Sequence, residues 1–415
     1  MSRDPSVPIL QKFGHWLSPF WVFFGIVVGF ALMVLAGRWA GKQNLFTEYE
    51  RSDIWISPEG YFYPSLNNLT QVVRHIAPKG KILVLVGGDS VLVGVGQKKE
   101  QVWTRELQRL LGPDFQVINL AFRGAGPMEM GAIVAEVLSK KYSRLIYVAR
   151  EDTPMWMGPP DGFWYAYLFW QAVAAGGLVK SASRSEELEK AFSGSDANLR
   201  EAKIEAWLRA HFDHWTHASD LWNYVGYNYV FTVFNPLRYP PERFFEARKK
   251  SSDDGNQSTG VPPIPERFIL LRERSMELIR SAFQYGVERD AKGELKIKPA
   301  ILDTFLRRAR AAIPDAFKPR TLILLSYNAP YLVQELSRDE YAAYEFAYGH
   351  GRSWLEKAGY HSIIVGPGLV DEDFADRVHL TASGGKKMAS EVASEIRAMA
   401  VQLGYIAKPL VEHYP

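Results

Sequence analysis

"LVLVGGDSVLVGVG", Leu83 to Gly96, decides how this chain is read. Four apolar residues run without a polar interruption into Gly87-Gly88, and Asp89-Ser90 follows at once. A short, wholly apolar run bounded by glycine has the pattern of a strand buried on both faces. Ser90, set at its tip before Gly94 and Gly96, has two readings. It caps the helix that follows, as Ser and Asp often do, or it is a nucleophile held on a sharp strand-to-helix turn.

The surrounding pattern repeats the unit. "KILVLV" (81–86) is followed by an amphipathic segment around 99–111, then "FQVINLAF" (115–122), a helix expected from Pro127 to about Lys140, and "RLIYVA" (144–149). After a long interruption the alternation resumes with "RTLILLSYN" (320–328), a helix near 339–358, "HSIIVGPG" (361–368) and a final helix from about Ser383 to Leu403. Apolar strands alternating with helices predict an α/β fold, a doubly wound parallel sheet covered on both faces. Residues 152–318 break the pattern and read as a mostly helical insertion or cap, with "SSDDGNQSTGVPPIP" (251–265) as an exposed loop. The expected organisation is a stub and anchor (1–41), a connector (42–80), the first part of the α/β domain (81–151), the insertion (152–318) and the second part (319–415).

Composition narrows the function classes. Apolar residues at 47% and charged residues at 23% describe a globular chain. The net charge of +3 gives no reason to expect a nucleic-acid partner. With no cysteine there is no disulfide, thiolate nucleophile or cysteine-ligated zinc. From Trp16 to Gly37 no residue is charged, and "FWVFFGIVVGFALMVLAG" (20–37) is long enough for a single membrane span. Trp16 and Trp21 near one end and Trp39 near the other suit the interfaces. A cleaved signal peptide is the rival reading, but its apolar stretch is usually only about 7–15 residues. Flanking charges (Arg3 and Lys12 before, Arg38, Lys42 and Arg51 after) barely decide orientation. A short stub with the large domain outside the cytoplasmic membrane is the expectation, because the chemistry below suits the envelope.

In a doubly wound sheet the reactive residues stand at the carboxyl ends of the strands. Those positions hold Gly88-Asp89-Ser90, then Asn119 and Gly124, then Arg150 and Glu151, then Ser326 and Asn328, and finally Asp376 and His379 before the last helix. Serine acyl transfer needs a nucleophile, a base, an acid that orients the base, and oxyanion donors. Ser90, His379 and Asp376 fit the first three roles, and the backbone N–H groups of Ser90 and Gly124 fit the fourth.

This arrangement resembles the SGNH (GDSL-type) hydrolase superfamily. Its first block is matched by Gly88, Asp89, Ser90 and Gly94, its second by Asn119, Ala121 and Gly124, and its last by Asp376 and His379. The resemblance covers about 81–152 and 320–403, and implies a flavodoxin-like three-layer fold without cofactor or metal. The third block departs from the pattern: the family's Gly-x-Asn-Asp is replaced by Ala149-Arg150-Glu151-Asp152. Arg150 or Asn328 is then the expected side-chain donor to the oxyanion, since an ionised Glu151 has no proton to give.

The anchor and the order of the blocks are similar to those of envelope acylation proteins of the DltD and AlgJ/AlgX-like families. That likeness implies an esterase or O-acyltransferase acting on acyl, commonly acetyl, groups of an envelope glycan beside a multispanning membrane-bound O-acyltransferase. The competing expectation is a catalytically weak scaffold or binding subunit of such a complex. "HFDHWTH" (211–217) lacks a completing carboxylate pattern for a metal, and "MWMGPPDGFWYAYLFW" (155–170) reads as core packing for the inserted helices.

Overall fold

Ile82–Val86 forms strand β1, and all five of its residues are buried. The reason lies in the alternation of the pleat. Leu83 and Leu85 face one core, while Ile82, Val84 and Val86 face another. The computed structural model describes residues 19–40, 65–77, 80–97, 101–122, 125–151, 154, 166–178, 196–212, 214–218, 221, 276–277, 279–280 and 286–407.

In chain order these residues form α1 (Pro19–Ala40), α2 (Leu66–Ile76), β1, α3 (Ser90–Val93), α4 (Trp103–Leu111), β2 (Phe115–Asn119), α5 (Met130–Ser139) and β3 (Leu145–Glu151). Then come α6 (Ala166–Ala174), α7 (Asp196–His211), β4 (Val287–Arg289), β5 (Leu295–Ile297), α8 (Pro299–Ala312), β6 (Thr321–Ser326), α9 (Pro330–Val333), α10 (Arg338–Lys357), β7 (His361–Val365) and α11 (Ala382–Gln402).

The main sheet has five strands in the order β2-β1-β3-β6-β7, and every pair is parallel. Helices cover both faces. One core packs α2, α5, α6, α8 and α10 against Leu83, Leu85, Tyr147, Ala149, Ile323 and Leu325. The other packs Trp103, Leu107 and Leu111 of α4 and Met388, Val392 and Ile396 of α11 against Ile82, Val84, Ile146, Val148 and Leu322. From β1 the chain crosses to β2 on one side and returns to β3 on the other, so the strand order switches between β1 and β3. The crevice above their carboxyl ends is where such a sheet accommodates a ligand.

Several expected elements differ in detail. The helix expected from Pro127 begins at Met130 with Glu129 as its N-cap. Pro127 stays in the preceding turn, where its carbonyl accepts a hydrogen bond from Tyr147 Oη (2.9 Å). Within the stretch expected to be mostly helical, β4 and β5 pair as an antiparallel hairpin. The tip of that hairpin is tied by Asp290, whose side chain accepts from the N–H groups of Lys292 and Glu294. From the same stretch, Phe305, Ala309, Ile313 and Phe317 enter the core on one face of the sheet. Of the aromatic stretch 155–170, the described residues Leu168, Phe169 and Trp170 are buried, while 155–165 lie outside the described residues, as do 251–265. The expected connector carries α2, with Leu69 and Val73 fully buried. Helix α1 is long and apolar enough to cross a membrane: its 22 residues span about 33 Å, against a hydrocarbon core of roughly 30 Å.

Candidate active site

The turn after β1 is built to present one hydroxyl. Gly88 has φ +89°, and a Cβ there would stand 3.2 Å from the Arg150 backbone nitrogen. Only glycine takes this conformation without strain. Asp89 follows as the N-cap of α3, its carboxylate accepting from the Val91 N–H at 3.0 Å. The capping role therefore belongs to Asp89, and Ser90 becomes the first helical residue with its side chain free for other work. As a first-turn residue its N–H has no partner within the helix, and it lies beside its own hydroxyl.

The hydroxyl faces a histidine from the other end of the fold. Ser90 Oγ lies 2.8 Å from His379 Nε2, across 289 residues of sequence. His379 Nδ1 lies 2.7 Å from Asp376 Oδ2. The other carboxylate oxygen of Asp376 accepts from the backbone N–H groups of Val378 (3.0 Å) and His379 (2.8 Å). Burial alone would push the Asp376 carboxyl up. The hydrogen bond from His379, the charge of that ring and the two N–H donors outweigh it and hold the group at about 2. At neutral pH Asp376 is thus ionised and holds the Nδ1 proton, leaving Nε2 to accept from Ser90.

The loop that carries Asp376 and His379 is fastened at both ends. Asp373, almost fully buried, accepts from Lys387 Nζ (2.6 Å), Ser383 Oγ (2.8 Å) and the Val370 N–H (3.0 Å). Thr381 caps α11. Across the loop, Ala375 N–H donates to the His379 carbonyl at 2.7 Å. Gln97, also buried, joins this loop to the serine turn: its Nε2 donates to the Leu380 carbonyl (3.3 Å) and its Oε1 accepts from the Trp103 N–H (2.8 Å). Beside it, a Cβ on Gly96 would come within 2.8 Å of Ala375 Cβ. Gly96 is therefore small because the two loops touch, whereas a Cβ on Gly94 would meet Val102 Cγ2 at 2.6 Å. Gln97 escaped the sequence reading because a single glutamine after a glycine carries no local signal of a partner near residue 380.

The other expected site residues fall as follows. Asn119 is buried; its Nδ2 donates to the Leu92 carbonyl (2.9 Å) and its Oδ1 accepts from the Ala121 N–H (2.9 Å). It pins α3 to the turn after β2 and so positions Ser90 from below. Gly124 lies outside the described residues. Arg150 corrects the expectation of an oxyanion donor. Its side chain is 1% accessible and pairs with Asp89, while its Nε donates to Ser326 Oγ at 2.9 Å. Held in the interior across β1, β3 and β6, it supports the serine turn instead of reaching a substrate. Glu151 is likewise buried at the end of β3.

Asn328 follows β6, two strands from β1, or about 10 Å across a sheet. Its backbone N–H donates to Tyr344 Oη at 3.0 Å, which places it with a tyrosine cluster. The rings of Tyr327, Tyr344 and Tyr348 meet with centroids 4.6–5.0 Å apart. Tyr327 Oη donates to Glu345 Oε2 (2.9 Å), and Tyr348 Oη donates to the Ser326 carbonyl (2.7 Å). Burial pushes the Tyr344 phenol up to about 12. The Ala329 N–H donates to the Arg377 carbonyl at 2.8 Å, so this cluster borders the loop bearing Asp376.

"HFDHWTH" falls partly within the described residues. His211 stacks on Trp207 with centroids 4.8 Å apart, and its Nδ1 lies 2.8 Å from the Trp207 carbonyl. Asp213 lies outside the described residues. Among the described residues, no three His, Asp or Glu side chains are grouped as metal ligands would be.

Scanned against protein-family models the chain matches none, and no curated protein matches its sequence. The chemistry of the site therefore rests on its own atoms: a serine hydroxyl, an imidazole and an ionised carboxylate in hydrogen-bonded series, at the switch point of a parallel sheet.

Proposed function

We propose that this chain is a membrane-anchored serine esterase or O-acyltransferase of SGNH type. Its substrate class is the acyl group, commonly acetyl, of an envelope glycan. The observation that carries the reading is the Ser90–His379–Asp376 series, assembled from opposite ends of the sequence with both links under 3 Å. Capping, the competing role for Ser90, is already filled by Asp89.

In this reading Ser90 Oγ attacks the ester carbonyl as His379 Nε2 takes its proton. Asp376 stabilises the imidazolium and keeps the ring in place. The Ser90 N–H, together with the turn containing Gly124, receives the oxyanion. The alcohol leaves with the proton from His379, and the acyl group stays on Ser90. Water or a glycan hydroxyl, deprotonated by His379, then releases it. In this reading α1 anchors the enzyme in the cytoplasmic membrane as a single-pass protein, with its catalytic domain outside and a multispanning membrane-bound O-acyltransferase as its partner; the length and apolar character of α1 support the anchor. A reporter fused after Pro415 tests that orientation.

A fluorophosphonate probe tests the nucleophile. Wild type is expected to label, and Ser90→Ala and His379→Ala are expected to lose labelling. Equal labelling of wild type and Ser90→Ala removes the assignment.

One observation favours a second reading, a weak or inactive scaffold subunit. Neither Arg150 nor Glu151 supplies the side-chain oxyanion donor expected after β3, and one such donor is worth about 10²–10³ in rate. p-Nitrophenyl acetate hydrolysis separates the two: equal rates for wild type and His379→Ala would support the scaffold.

A further inference from the structure

Helix α7 has one face that the fold uses and one that it does not. Ala206 is buried against α6. Arg200, Ile204, Trp207 and His211 recur at helical spacing on the opposite side and are exposed, while Lys203 lies toward α6, its Nζ 4.4 Å from the centroid of the Trp170 ring. Ile204, Trp207 and Phe212, just past the helix, are each about half accessible (52%, 51% and 51%). The Trp207 and Phe212 rings meet edge to face at 5.8 Å. Exposed tryptophan, phenylalanine and isoleucine among basic side chains is the composition of a surface that lies on a bilayer.

The position of α1 says what covers this face. Residues 19–32 of α1 are exposed, whereas Gly37 and Ala40 are buried. A Cβ on Gly37 would fall 2.3 Å from the His214 carbonyl oxygen, so the end of α1 touches the helical turn 214–218 backbone to backbone. If α1 spans the membrane, Gly37 stands where the helix leaves the hydrocarbon. His214 is then fixed at that level. Phe212 lies two residues away, within about 7 Å of extended chain. The headgroup zone on each side of a bilayer is about 5–8 Å deep, which brings the Trp207–Phe212 pair within its reach.

We infer that the outward face of α7 docks on the headgroup region of the same bilayer that α1 crosses, with Ile204, Trp207 and Phe212 inserted and Arg200 meeting anionic lipid. This rests on the reading of α1 as a membrane span. A second copy of the chain is a poor occupant. Three apolar side chains fall well short of the roughly 800 Å² per partner of a stable interface.

Because the chain has no cysteine, single cysteines report position cleanly. The full-length protein in lipid nanodiscs would carry an environment-sensitive fluorophore at Trp207→Cys, Ile26→Cys or Ser394→Cys. Ser394 is exposed on α11, against the opposite face of the sheet from α6. Discs would contain lipid spin-labelled at the headgroup or in mid-chain. Headgroup label is expected to quench the Trp207→Cys probe about twofold or more, mid-chain label to quench the Ile26→Cys probe, and neither to quench Ser394→Cys. Ile204→Cys, which keeps Trp207, is expected to behave as Trp207→Cys does. If Ile26→Cys is quenched and both α7 positions are not, the docking surface is overturned and the anchor stands. If Ile26→Cys is also unquenched, the anchor reading falls and the inference falls with it.

Discussion

Arg150→Met removes one half of a buried ion pair and leaves Asp89 where it is. The Arg150 side chain is 1% accessible and that of Asp89 is 12%. Without the guanidinium, Asp89 keeps the Val91 N–H but loses its counter-charge in a nearly dry site. Breaking a buried pair on one side costs about 3–5 kcal/mol. The residual exposure of Asp89 and its cap hydrogen bond put the expected loss near the lower end, about 3 kcal/mol. Adding Asp89→Asn removes the stranded charge while keeping a good N-cap, so the double variant is expected to recover about half of that loss or more. Urea titration followed by far-UV circular dichroism reads both as midpoint shifts at unchanged slope. A loss under about 1 kcal/mol for Arg150→Met, or a double variant no more stable than the single, would falsify the account of Arg150 as the support of the serine turn.

Asp376→Asn takes away the carboxylate that orients His379 and is expected to lower the esterase rate by about 10⁴, measured with p-nitrophenyl acetate. Since the Asp376 carboxyl is held at about 2 in the fold against about 3.9 in an unfolded chain, its stabilisation is complete above about pH 4 and lost as pH falls through about 2. The stability gap between wild type and Asp376→Asn should close over that window; a gap unchanged from pH 5 to pH 2 argues against the assignment. Gln97→Ala leaves the Trp103 N–H and the Leu380 carbonyl without it, at about 1–3 kcal/mol for each buried group, and the esterase kcat should fall more than KM rises because the histidine loop loosens. Gly96→Ala forces a Cβ to 2.8 Å from Ala375 at φ +93°; a variant with wild-type melting temperature and rate would show that the two loops do not need that contact.

The strands were legible because each is buried on both faces, and such strands are written as unbroken apolar runs: "ILVLV", "LIYVA" and "TLILL" admit no other reading. Ser90, Asp376 and His379 were legible as a candidate site because a doubly wound sheet gathers its polar side chains at the carboxyl ends of its strands. What stayed hidden is non-local or short. Arg150 follows five apolar residues and looks like an exposed donor until β1 and β6 supply Asp89 and Ser326. The β4–β5 hairpin has strands of three residues each, too short to show a period, and they contain charged residues. Asn119 stood in the motif, but its hydrogen bond to Leu92 places it beneath the serine turn as a brace.

The contact between Ser90 and His379 also sets an order of events. A chain made from its N-terminus exposes the serine long before the histidine exists, and a serine without its base is no more reactive than any other. The loop with Asp376 and His379 leads into α11, whose Val392 and Ile396 join Leu107 and Leu111 of α4 in one core. If Ser90 acts as the proposed nucleophile, a copy in which this contact has not formed carries no activated hydroxyl.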